Sequence, residues 1–272
     1  MYVRPSEPLS IGGVVDDAIR LYRGSFSHTW KLSVAFAIAL AVLGLFMVMS
    51  IPALFDIQRA TLAPQQVLAL FTSPVVIGSY LLMIVCELVF YGALFASENA
   101  VARGEPIPMG QALLAGLRRI PGMLLAGLVF LIAFTLGCIA LLIPGIYLWG
   151  KLQLWPAALY AEDATAMEAL GSSWTLTRGR WWRTVVIISV ALIILYIVAL
   201  AVGLVPAFLL GFTSLKHGNM LTAQLAAMPF SILSRIFLMP AMPAILLAVH
   251  HDCKLRSEGG DLAERAGALG RA

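Results

Sequence analysis

The chain has 272 residues, of which 61% are hydrophobic and only 12% are charged, and its formal net charge is +4. Soluble domains carry roughly 25% charged residues, so this composition excludes a soluble globular protein and indicates an integral membrane protein. The excess of basic residues is explained by membrane topology, and no nucleic-acid partner is needed to account for it.

Apolar runs predict six transmembrane helices, because a helix needs about 20 residues to cross the hydrocarbon. Helices are the expected form, since a bilayer offers no water to unpaired backbone groups. The fourth run is shorter than the others. The runs are residues 32–51, 75–96, 123–143, 146–161, 184–204 and 223–249.

Three segments repeat one pattern ahead of apolar hairpins, at residues 14–24, 112–122 and 169–179. Each is predicted to be an interfacial amphipathic helix that stops at Gly24, Gly122 or Gly179, because glycine tolerates the left-handed backbone that ends a helix. The sequence therefore predicts an all-α membrane protein. Its single transmembrane domain, residues 1–255, would contain six transmembrane helices as three related hairpins, each preceded by a cytoplasmic interfacial amphipathic helix. Residues 256–272 would form a cytoplasmic tail.

Lysine and arginine are concentrated on one side of the predicted bundle, and only Arg59 and Lys216 fall in loops on the other side. Basic loops resist translocation, so both termini are predicted to be cytoplasmic. The basic side carries seven arginines near the interfacial segments, which predict either simple anchoring or a rim that binds anionic lipid headgroups. They are Arg20, Arg23, Arg118, Arg119, Arg178, Arg180 and Arg183.

Three charged residues fall inside apolar runs near mid-bilayer: Glu87, Lys151 and Arg235. An isolated charge at this depth costs on the order of 3 kcal/mol, so these side chains are expected to face inward and to pair. Two alternatives follow. The charges form a buried ion pair that fixes helix register, or they form an ionisable site that lines a cavity for a proton, an ion or an anionic headgroup.

Sequence signals for catalysis are missing, with no phosphate-binding glycine loop, no HExxH and no GxSxG. Residues His250 to Cys253 are adjacent rather than spaced by one helical turn, so neither a metal site nor a cofactor is predicted. No nucleophile and base stand at a useful spacing. The sequence therefore favours a protein that is not an enzyme.

A family resemblance is carried by Leu142-Ile143-Pro144-Gly145-Ile146-Tyr147-Leu148-Trp149, by Glu168-Ala169-Leu170 and by Leu176-Thr177-Arg178-Gly179. These segments resemble the membrane domain attached to some bacterial glycerophosphoryl diester phosphodiesterases. The resemblance implies the fold and a multi-pass location in the bacterial inner membrane. It implies no enzyme activity, because the chain has no room for a catalytic barrel of roughly 250 residues.

The leading functional hypothesis is a non-enzymatic bacterial inner-membrane protein that binds lipid or another amphiphile, or that supports an envelope protein partner. Membrane lipids are its expected partners, and its oligomeric state is open. The alternative is a secondary transporter or channel that uses the intramembrane Glu87, Lys151 and Arg235.

Overall fold

The computed structural model describes residues 2–50, 72–204, 208 and 220–269. Within these residues the secondary structure is helical and contains no strand. A short π-helical turn spans Leu200–Leu204. The α-helices are α1 (Ile11–Ser50), α2 (Pro74–Ala102), α3 (Met109–Arg118), α4 (Ile120–Ala140), α5 (Leu142–Leu152), α6 (Trp155–Ala161), α7 (Ala166–Leu176), α8 (Trp181–Ala199), α9 (Met220–Leu238) and α10 (Ala241–Leu269).

Five helical segments of the described chain are long and apolar enough to cross a membrane, which confirms the all-α, multi-pass membrane class. Large apolar side chains on α4 and α8, among them Leu136 and Ile197, are exposed on the outside of the bundle. Such contiguous apolar surface is expected where a helix faces lipid. The segments are Ile11–Met47, Pro74–Ala102, Ile120–Ala140, Trp181–Val202 and Met228–Gly259.

The predicted fourth span is divided into α5 and α6, which have 11 and 7 residues and are each too short to cross a bilayer. The break precedes Pro156, which cannot donate a backbone hydrogen bond. Ser173 on α7 compensates, because its hydroxyl accepts from Leu154 N at 3.1 Å and donates to Lys151 O at 2.9 Å. Six spans arranged as three related hairpins are therefore not confirmed.

The three predicted glycine stops have different outcomes. Only Gly179 has the left-handed backbone, with φ at +72°, and it follows the short helix α7. The stop at Gly24 is wrong, because α1 continues through it to Ser50. A Cβ at Gly24 would lie 3.0 Å from the Cβ of Tyr2, so glycine at this position lets Tyr2 pack closely against α1. The stop at Gly122 is also wrong, because α3 ends at Arg118 and Pro121 lies in the first turn of α4.

The core lies where the first turns of α10 pack against α1, α2, α6 and α8, and α6 also packs against α2. Phe95, Leu159 and Ala244 are among its fully buried residues. A break at Met239 and Pro240 separates α9 from α10 inside the predicted sixth span. Beyond the core, α10 runs without interruption across the predicted domain boundary at residue 255 to Leu269.

Candidate functional site

An apolar groove of about 560 Å³ lies between α1, α8, α9 and α10. Its walls include Tyr22, Leu195 and Phe237, and its volume falls within the range of small-molecule sites. Arg23 is the only charged residue among the described residues that line it. The groove is therefore shaped for an apolar group with one anionic or polar end.

Small side chains and one hydrogen bond define the shape of the groove. Ala18 on α1 and Ala191 on α8 leave space between the helices. The Tyr22 hydroxyl donates to Phe237 O at 3.1 Å, and the Phe26 ring stacks on the Phe237 ring with centroids 5.6 Å apart. These contacts hold α9 against α1 at one wall of the groove.

A second cavity of about 500 Å³ adjoins the groove at Arg23 and is also lined by Tyr2, Val3, Arg20 and Gly24. Arg20 and Arg23 are exposed and lie three residues apart, which places them on one side of α1. The Tyr2 hydroxyl donates to Asp17 Oδ2 at 3.1 Å. Burial, followed by the nearby Asp17 carboxylate, raises the pKa of Tyr2 above its usual value, so this wall stays neutral. The cavity therefore presents the guanidinium groups of Arg20 and Arg23 beside the apolar groove, and neither forms an ion pair within the described part of the chain.

The N-terminal segment (residues 2–10) is fastened to α8 and α10 by Asp252, whose side chain is only 4% exposed. Leu9 N donates to Asp252 Oδ1 at 2.9 Å. Arg183 and Arg256 each contact Asp252 Oδ2, at 3.1 and 3.0 Å. Both arginines also donate to Leu9 O. This cluster positions Tyr2 and Val3 at the mouth of the second cavity.

The seven predicted rim arginines divide into two groups. Arg119 donates to Leu159 O and Ala164 O and pairs with Asp163. Arg180 donates to Arg256 O at 2.8 Å. Arg183 binds Asp252. These three arginines are engaged by other groups of the protein. The other four are exposed: Arg20, Arg23, Arg118 and Arg178.

The predicted charge network is not assembled, since none of its three members forms an ion pair within the described residues. Glu87 is exposed in a pocket of about 300 Å³ beside Phe36 and Met239. Lys151 is buried, and its Nζ lies 5.3 Å from the ring centroid of Trp174 and 5.8 Å from that of Tyr147. Cation–π attraction thus replaces the predicted carboxylate partner. Arg235 is partly exposed on α9.

An ion-pair cluster that the sequence did not reveal joins the α6–α7 connection to α10. Glu162 Oε1 lies 3.3 Å from His250 Nε2 and 3.3 Å from Lys254 Nζ. Neither ring nitrogen of His250 has a well-aligned hydrogen bond among the described residues, although Nε2 is close to the Glu162 carboxylate. His250 foremost, then Ser172 and Lys254, hold the pKa of Glu162 down to about 2. The adjacent His251 does not join this cluster, because its Nε2 lies 2.9 Å from Pro5 O.

Glu162→Gln is expected to lower the free energy of unfolding at neutral pH. It should also make this free energy fall less steeply as the pH is lowered. The folded-state pKa is depressed from 4.5 to about 2, so the stabilisation is fully present above pH 4.5 and is lost as the pH falls toward 2. Thermal unfolding midpoints in detergent between these pH values measure the effect. Glu105→Gln, which changes an exposed carboxylate, is the control. Parallel curves for the parent protein and Glu162→Gln would contradict the assignment.

Comparison with known proteins gives one family. No curated protein and no solved structure matches the chain significantly. A family model described as "Domain of unknown function (DUF7847)" matches residues 96–247, from the end of α2 into α10. These results do not support the resemblance to the phosphodiesterase membrane domain, which stays a prediction. Because the match covers more than half of the chain, the protein belongs to the DUF7847 family.

Proposed function

We propose that this protein is a non-enzymatic bacterial inner-membrane protein that binds an anionic lipid or a similar amphiphile. One observation carries the proposal: Arg23 lines both the apolar groove and the adjoining cavity that contains Arg20. The apolar tail occupies the groove between α1, α8, α9 and α10. The anionic headgroup meets the two arginines.

The headgroup supplies most of the selectivity in this arrangement. A lipid tail that enters the groove leaves a bilayer that is equally apolar, so the transfer gains shape fit and dispersion contacts but little hydrophobic free energy. Arginine, by contrast, binds phosphate or carboxylate with paired, charge-assisted hydrogen bonds. Arg20 and Arg23 are available for this role because neither forms an ion pair among the described residues.

The orientation proposed from the sequence agrees with this site. Both termini are placed in the cytoplasm by the lysine and arginine bias. The cavity at Arg20 and Arg23, near the start of α1, then lies in the cytoplasmic leaflet. That leaflet carries anionic lipids, whose attraction to a basic side chain near the surface is about 1 kcal/mol per residue.

The experiment is native mass spectrometry of protein exchanged into mixed micelles of phosphatidylglycerol and phosphatidylethanolamine. The parent protein should retain phosphatidylglycerol. The double variant Arg20→Gln/Arg23→Gln should bind phosphatidylglycerol roughly thirtyfold more weakly, because each lost arginine removes about 1 kcal/mol of binding free energy. Arg118→Gln with Arg178→Gln is the matched control, because these two arginines are exposed but line neither cavity.

A second pair of variants tests the groove itself. Val198→Trp places an indole ring in the groove. Ile197→Trp adds the same ring at the preceding residue of α8, which does not line the groove. Val198→Trp should lose lipids of either headgroup and Ile197→Trp should keep them. Equal lipid retention by the two tryptophan variants, or a parent protein that holds no lipid, would refute the proposal. A retained second polypeptide would favour support of an envelope partner.

Transport is the second candidate, favoured by the break between α9 and α10. Leu238 and Ala241 flank this break and also line the groove, so a bound amphiphile would lie against a discontinuous helix. Discontinuous helices surround the central sites of many transporters. Cysteine accessibility from both sides of the membrane along residues 233–245 tests this candidate, because a transporter requires labelling that changes sides when ligand is added.

A further inference from the structure

Glu98 is a fully buried carboxyl group near the end of α2, with 0% of its surface exposed. Neither of its carboxyl oxygens has a hydrogen-bond partner among the described residues. The ion pairs of the described chain do not include it either. An orphaned carboxyl group in such a site needs a physical explanation.

Glu162 provides the internal comparison. The stretch from Tyr91 to Glu98 resembles the stretch from Trp155 to Glu162, so the two acids stand at corresponding positions in sequence. Glu162 has His250 and Lys254 within 3.3 Å and remains 22% exposed. Glu98 is closed off from solvent and has no cationic partner in the part of the chain that the structure describes. The two corresponding acids therefore have opposite electrostatic environments in the same fold.

Among the described residues, no cation pairs with Glu98 and no group donates a hydrogen bond to it. Tyr22 on α1 and Tyr91 on α2 lie within electrostatic reach of Glu98, but neither hydroxyl donates a hydrogen bond to its carboxyl oxygens. On α6, Tyr160 O accepts from the Asn99 amide at 2.9 Å. On α10, His250 lies against Glu162. The Tyr22 hydroxyl already donates to Phe237 O.

Burying an ionised carboxylate costs several kcal/mol, and an unpaired group avoids this cost by taking up a proton. We propose that Glu98 is a proton-binding site, occupied by a proton at neutral pH in the folded bundle. The step is a simple protonation, in which one carboxyl oxygen binds H⁺ from water and becomes a neutral acid. Ionisable residues inside membrane proteins commonly mark proton relays. Because Tyr22 also lines the groove, the proton lies beside the proposed amphiphile site without depending on it.

Infrared difference spectroscopy of the purified full-length protein tests the proposal. The parent protein at neutral pH should show the C=O stretching band of a protonated carboxylic acid. Glu98→Gln should remove this band, and Glu162→Gln, the matched control, should retain it. If Glu98→Gln does not fold, Glu98→Asp serves instead, because it keeps the acid and should shift the band.

Two results would overturn the assignment. In the first, the difference spectrum at neutral pH contains carboxylate bands, whether the parent protein is compared with Glu98→Gln or with Glu98→Asp. Glu98 would then be ionised. The other is an acid band that appears only after sodium and potassium are removed, because the carboxylate would then hold a metal cation.

Discussion

Gly116→Ala is expected to destabilise the bundle by about 3 kcal/mol, the upper part of the usual range for overpacking. The added methyl group would overlap Val89 O and lie 2.9 Å from Ala93 N. Both atoms belong to the backbone of α2, which cannot rotate away as a flexible side chain could. The contact between α2 and α3 therefore requires glycine at this position.

Gly110→Ala is the matched control for this change, because it lies on the same helix and its added methyl group would meet nothing within 4 Å. It is expected to be neutral or to stabilise the helix by up to about 1 kcal/mol. Unfolding midpoints of the two variants in the same detergent measure the difference. Equal midpoints would show that α3 can move away from α2 at little cost.

Asp252→Ala is expected to cost about 3 to 5 kcal/mol, because it removes the buried partner of two arginines. Arg183 and Arg256 are only 24% and 27% exposed at their side chains, so water cannot fully replace the lost carboxylate. Leu9 N would lose its acceptor as well. The N-terminal segment should detach from α10, and the cavity at Arg20 should lose its Tyr2 wall.

Hydrogen–deuterium exchange of the peptide containing Leu9 measures this release directly. Glu258→Gln on the same helix is the control, since Glu258 is exposed. Asp252→Ala should exchange rapidly at Leu9, and Glu258→Gln should match the parent protein. Unchanged protection at Leu9 in Asp252→Ala would mean that other contacts hold the segment.

Apolar runs in the sequence were sufficient to predict the membrane class, because burial in lipid demands long apolar helices whatever their packing. They did not reveal the division into α5 and α6. That break is stabilised by Ser173, whose hydroxyl reaches Leu154 from α7, nineteen residues away. Hydropathy measures the environment of a segment and is insensitive to hydrogen bonds from distant side chains.

The candidate site was predicted only in part. Arg118 and Arg119 are adjacent, yet the first is exposed and the second binds backbone carbonyl groups. Sequence also gives the depth of Glu87 and Lys151 in a span but not the direction in which each helix faces its neighbours. Of the two aromatic rings near Lys151, Tyr147 lies four residues earlier on the same helix, a spacing that sequence can reveal, whereas Trp174 comes from α7 and has no local signal.

The uninterrupted length of α1 links distant parts of the molecule. Its 40 residues extend about 60 Å at 1.5 Å per residue, roughly twice the thickness of the hydrocarbon. Arg23, which lines the groove and the second cavity, and Phe36, at the Glu87 pocket, therefore lie on one continuous helix. A tilt of α1 at Arg23 would therefore also displace Phe36 and change the shape of the Glu87 pocket.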